Sequence, residues 1–263
     1  MKIGVFDSGL GGLIVLRSIA SAMPEYDLAY FGDTANLPYG SRSGWLVYEY
    51  TRRSVDWLFR NQDCALIILA CNTATISALR RLQREYLPAS FPDRRILGVV
   101  VPTIEEVAAR GYKSAGLIAT EATVRSGVYA QELAKINPDI RIESAAAPLI
   151  VPLVENCGDK YAPEVLRDYL KPLIGLDALI LGCTHYAYYK ELIAEIFGRP
   201  IVSQDDIIPG KLRGYLSRHP EIDARLGRKG ARFFGITDVN DGYLAVARRL
   251  FGADAAIEQI NME

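Results

Sequence analysis

Short apolar runs rich in β-branched residues recur along the chain, separated by stretches with helical spacing. They predict strands at Lys2 to Phe6, Asp27 to Phe31, Ala65 to Ala70, Ile96 to Val101 and Ser114 to Ala119. Further strands are expected at Ile140 to Ala145, Ala178 to Leu181, Pro200 to Ser203 and Ala231 to Ile236. Between them, Leu13, Leu16, Ile19 and Ala20 share one helical face, and Ile76, Leu79 and Leu82 share another. The strand runs are continuous Val, Ile and Leu without alternation, as sheets covered on both faces require. The pattern is therefore α/β: doubly wound parallel sheets joined by amphipathic crossover helices.

No Ser/Gly linker divides the chain, although Pro92 to Arg95 and Asp205 to Lys211 read as weak boundaries, so a second domain is expected as an insertion. One internal echo stands out. Ala65 to Thr73 (ALIILACNT) resembles Ala178 to His185 (ALILGCTH), each a buried strand running into cysteine, small polar residues and a helix.

Composition narrows the classes of function. The 263 residues are 50% hydrophobic and 23% charged, which excludes disorder. With 30 basic and 31 acidic residues the net charge is -1, so nothing electrostatic points to nucleic acid or an anionic membrane. The run from Cys64 to Cys71 falls far short of the ~20 apolar residues of a membrane span. Ile3 to Phe6, ended by Asp7, is too short for the apolar core of a signal peptide, which needs ~7 or more residues. We expect a cytoplasmic protein. The four cysteines form no C-x-x-C pair, and with His185 and His219 as the only histidines no standard zinc spacing arises, so neither disulfide nor metal is expected.

In open α/β sheets ligands bind beyond the carboxyl ends of the strands. Four segments end a strand there with polar or reactive groups: Asp7-Ser8-Gly9 with Gly11-Gly12, Gly32-Asp33-Thr34 leading to Pro38-Tyr39-Gly40, Cys71-Asn72-Thr73, and Cys183-Thr184-His185. The glycines do not make a dinucleotide fingerprint, because Ile14 stands where G-x-G-x-x-G needs its third glycine. Cys64 and Cys157 read as structural. Cys71 and Cys183 sit beside hydroxyl, amide or imidazole groups at expected helix starts, where the dipole lowers a thiol pKa. His185, two residues from Cys183, is placed to take or give the thiol proton. A base on one face of a carbon and an acid on the other is what inverting that carbon requires.

These segments, together with Thr120 to Val124 and Val151 to Glu155, resemble the glutamate racemase family from Lys2 to about Phe251. The resemblance implies two α/β domains facing each other across an active-site cleft, residues 1–97 plus 208–263 and residues 98–207. It implies cofactor-independent interconversion of L- and D-glutamate for peptidoglycan. Cys71 would exchange the proton of D-glutamate and Cys183 that of L-glutamate, assisted by Asp7, Glu155 and His185. Asn72, Thr73, Thr120, Thr123 and Thr184 would hold the α-carboxylate, while Ser8, Tyr39 and Gly40, with Pro38 beside them, would hold the side-chain carboxylate.

The chain departs from the family pattern at Ala187, in place of a proline, at Ala119, in place of a glycine, and at the stretch Val202-Ser203-Gln204, in place of an Asp-Ser pair. With its first strand opening at Lys2, the chain is expected to lack the extension through which some relatives are activated. Glutamate is the expected small-molecule partner, with no cofactor, no nucleic acid and no membrane, and a homodimer is expected. The alternatives are a racemase of the same superfamily acting on aspartate or a hydantoin, and a two-lobed binding protein with inert thiols.

Overall fold

The structure, a computed structural model, describes residues 1–252 and 255–262. Among the described residues ten parallel strands form two sheets. The first orders β10 (Ile257–Gln259), β9 (Arg232–Ile236), β2 (Leu28–Gly32), β1 (Lys2–Asp7), β3 (Cys64–Leu69) and β4 (Arg95–Gly98). The second orders β6 (Arg141–Ala146), β5 (Ser114–Ala119), β7 (Ala178–Gly182) and β8 (Ile201–Val202). The first sheet thus takes strands from both ends of the chain and the second from its middle. Central strands β1, β2, β3, β5 and β7 are buried almost throughout, which explains their unbroken apolar runs.

The expected strand Ile96 to Val101 ends early. Gly98 closes β4, and Val100 and Val101 begin the helix Val100–Ala109, in which Thr103, Ile104 and Val107 supply the buried face. On the helix Asn72–Arg81 the buried side is Ala74, Thr75 and Ala78, with Ile76 and Leu79 only partly covered. The helical path continues through Leu82–Tyr86 and Leu87–Ser90, and Arg80 and Arg81 form ion pairs with Glu132 and Glu85.

Registry sets the strand ends level. Asp7 pairs with Gly32 and Phe6 with Leu69 in one sheet, and Ala119 pairs with Gly182 in the other. The loops after β1, β2 and β3 therefore leave one edge together, and those after β5 and β7 leave the facing edge. The helix Gln204–Arg218 packs against both Gly12–Ala22, beside the first sheet, and Val100–Ala109, beside the second. The boundary expected at 207/208 falls inside this helix. One buried cluster runs across both halves, joining Leu13, Leu16 and Ile19 to Tyr186, Leu212 and Leu216.

Candidate active site

Between the two groups of strand ends lies a cavity of about 110 Å³. Ser8, Pro38, Tyr39, Gly40, Cys71, Asn72, Thr73, Thr120, Cys183, Thr184 and His185 all line it, so residues from five loops meet in one wall. Asp7, Thr123 and Glu155 stand behind that wall and reach it through the groups they bond.

Cys71 follows β3 and caps the helix Asn72–Arg81, its Sγ accepting a hydrogen bond from the Ala74 amide at 3.4 Å. The thiol donates to Ser8 Oγ at 3.5 Å. The helix start was expected to lower this thiol's pKa. Instead, burial and then the nearby Asp7 carboxylate dominate over the Ser8 and Ala74 contacts and push it up to about 12.

Cys183 is differently held, and the equivalence suggested by the sequence echo ends here. It precedes a 3₁₀ segment, Thr184–Tyr189, and its side chain caps no backbone amide. Its partner is His185, whose Nδ1 lies 3.9 Å from Sγ, while His185 Nε2 meets Glu155 Oε1 at 2.8 Å. Burial opposes a charged ring, yet the contacts with Cys183 and the Glu155 carboxylate outweigh it and hold His185 well above the ordinary imidazole range.

Asp7, fully buried, accepts from the Gly9 amide at 3.0 Å and from the Thr184 hydroxyl at 3.1 Å. Burial raises its pKa, opposed first by the charge of His185. The glycines of this loop serve close approach rather than phosphate. A Cβ on Gly11 would lie 2.5 Å from both His185 Nδ1 and Thr184 Oγ1, and one on Gly12 would lie 2.5 Å from Asp7 Cβ.

The threonines form a chain. Thr73 and Thr120 hydroxyls meet at 3.0 Å, and Thr120 donates to Thr123 Oγ1 at 3.1 Å while capping the helix Glu121–Ser126. Tyr39 donates its hydroxyl to Asp33 Oδ2 at 2.6 Å, and both it and Gly40 line the cavity. Gly40 packs so closely on Thr120 that a Cβ would lie 2.9 Å from that residue's Cβ.

Two participants escaped the sequence reading. Gln204 exchanges hydrogen bonds with the Asn72 amide in both directions, at 3.0 and 2.8 Å, and Tyr129 donates to Asn72 Oδ1 at 2.7 Å. Gln204 carried a signal only as a departure from the family pattern. Tyr129, an aromatic on a helix, carried none.

Among the described residues no helix is long and apolar enough to cross a membrane, and no group of three or more His, Cys, Asp or Glu is arranged to hold a metal ion.

The chain is similar to known proteins over nearly its whole length. A model of the Asp/Glu/hydantoin racemase family matches residues 16–207. A glutamate racemase of Geobacter metallireducens is 35% identical over 99% of this chain and 97% of its own length. One of Nostoc sp. is 43% identical over 87% of this chain and 80% of its own. Among solved structures, glutamate racemase from Francisella tularensis in complex with D-glutamate superposes with a TM-score of 0.88 at 28% identity, covering 100% of this chain and 98% of that one. The Thermus thermophilus enzyme in complex with β-chloro-D-alanine gives 0.82 at 35% identity, covering 98% and 96%. Two facing parallel sheets, two thiols in one cavity and full-length similarity to glutamate racemases thus make this chain an isomerase of the Asp/Glu/hydantoin racemase family.

Proposed function

We propose that the protein interconverts L- and D-glutamate without a cofactor, by two opposed thiols, and supplies D-glutamate for peptidoglycan. The observation that carries this reading is that Cys71 and Cys183 line one cavity, each with its own polar partners. In the L-to-D direction the Cys183 thiolate, held beside the His185 imidazolium, removes the Cα proton. The Cys71 thiol delivers its own proton to the opposite face, leaving a Cys71 thiolate and a Cys183 thiol. The D-to-L direction runs the same transfers backwards. A thiol pushed up to about 12 remains protonated at rest, and its conjugate base, once formed, is a strong one. The carbanion is stabilised by hydrogen bonds in a site that excludes water.

The first amides of the helix Asn72–Arg81 and the hydroxyls of Thr73, Thr120 and Thr184 suit the α-carboxylate, with Thr123 supporting Thr120. Ser8 and the Tyr39-Gly40 backbone suit the distal carboxylate. Incubation in D2O with each glutamate enantiomer tests the reading. Deuterium should enter at Cα and the enantiomers should equilibrate with no added cofactor. Exchange of aspartate or a hydantoin instead of glutamate would reassign the substrate. Binding without exchange would make the thiols inert.

A further inference from the structure

The Asn72 side chain, which forms part of the cavity wall, is bound from behind by two residues that do not share its half of the fold. Asn72 opens the helix after β3 of the first sheet. Tyr129 lies on the helix Val128–Ile136 that follows β5, and Gln204 starts the helix after β8, both attached to the second sheet. All three are at most 2% exposed.

Their bonds close a ring. Asn72 Oδ1 accepts from Tyr129 Oη at 2.7 Å and from Gln204 Nε2 at 2.8 Å, Gln204 Nε2 also reaches Tyr129 Oη at 3.2 Å, and Asn72 Nδ2 donates to Gln204 Oε1 at 3.0 Å. An amide carries two acceptor lone pairs and two donor hydrogens. Both lone pairs of Oδ1 and one hydrogen of Nδ2 are engaged in the ring, so the remaining Nδ2 hydrogen is the one group the Asn72 side chain has left to offer a ligand. Turning the Asn72 amide over alone would set its NH2 against that of Gln204, which a buried site penalises.

We infer that Gln204 and Tyr129 are positioning residues for substrate: they fix the Asn72 amide with a donor toward the bound carboxylate and tie it to the facing half of the fold. The inference rests on the glutamate reading above. It gives Gln204, which stands in a stretch that departs from the family pattern, a specific task in this chain.

A double-mutant cycle on glutamate turnover tests it, using Gln204→Met, Asn72→Ala and the combination. Methionine keeps the length and burial of glutamine while removing its hydrogen bonds. Gln204→Met should raise KM for glutamate about 10-fold with a smaller fall in kcat, since an interaction orienting ground-state binding is lost. In the Asn72→Ala background the same substitution should change KM less than about twofold, because the residue it acts through is gone. Tyr129→Phe, which deletes one oxygen, provides a second probe should Gln204→Met fold poorly. It should raise KM about threefold and likewise lose its effect when Asn72 is alanine. An unchanged KM in Gln204→Met, or effects that multiply in the double variant, would overturn the inference while leaving the functional reading intact. A wild-type chain that does not exchange glutamate would overturn both.

Discussion

Thr184 donates its hydroxyl to the Asp7 carboxylate at 3.1 Å, across the seam between the two sheets. Asp7 is also a carboxylate whose charge burial disfavours. It is fully buried, and burial raises its pKa above the usual carboxylate value of 3.8. A group whose folded pKa is raised contributes most to stability below its unfolded pKa, and that contribution is lost as pH rises through the folded value. Asp7→Asn should therefore stabilise the protein relative to wild type at pH 7, by ~1 kcal/mol or more, and by less near pH 4. Racemisation should fall sharply, because the Thr184 and Gly9 contacts then hold a neutral group. Thermal melts at the two pH values, beside activity, check both statements.

The raised pKa of His185 gives the activity a direction with pH. The imidazolium that faces Cys183 is present below that pKa and is lost as pH rises through it. Wild-type kcat/KM should fall on the alkaline side of the profile. His185→Gln should lower the plateau by ~10²-fold, the scale of one lost acid or base, and remove that limb. An unchanged alkaline limb in His185→Gln would assign it to another group.

Gly11 tests whether the glycine loop exists for close approach. A Cβ there would meet His185 Nδ1, Thr184 Oγ1 and the His185 backbone nitrogen. Gly11→Ala should cost ~1–3 kcal/mol of stability as the neighbours shift, and should depress kcat by displacing His185 from Cys183. Gly44, at the start of the helix Gly44–Asn61 with open space around it, is the control. Gly44→Ala should raise stability by ~0.5 kcal/mol through the unfolded chain and leave turnover alone.

Much of this architecture was legible locally. Strands such as Ser114–Ala119 and Arg232–Ile236 are short, mostly apolar runs between turns, and the structure places them within a residue of the expected limits. Ile257–Gln259 was missed because an edge strand of three residues, two of them polar and exposed, carries no such run. Val99 to Val101 misled for the opposite reason: β-branched residues favour strands on propensity, yet here Val100 packs with Ile104, Val107 and Leu117 as the first residue of a helix, while Val101 is exposed. At the site, strand-end residues were visible because their positions are set by short-range sequence. The Gln204–Asn72 pairing spans 132 residues and leaves no local trace. Nor does sequence reveal depth: helix geometry alone favours a lowered Cys71 pKa, and burial, followed by the nearby Asp7 charge, reverses the sign.

The two thiols differ in their surroundings but share one cavity, and the paired-thiol account stands on both being required. The direct measurement is racemisation and Cα deuterium exchange by Cys71→Ala and Cys183→Ala, beside Cys64→Ala and Cys157→Ala. Each site variant should lose racemisation by at least ~10²-fold. Cys71→Ala should still exchange the Cα proton of L-glutamate through Cys183, and Cys183→Ala that of D-glutamate through Cys71. The two control variants should turn over almost as wild type does, since Cys64 lies in a strand core and Cys157 outside the cavity. Near-wild-type racemisation by either site variant would contradict the two-thiol mechanism.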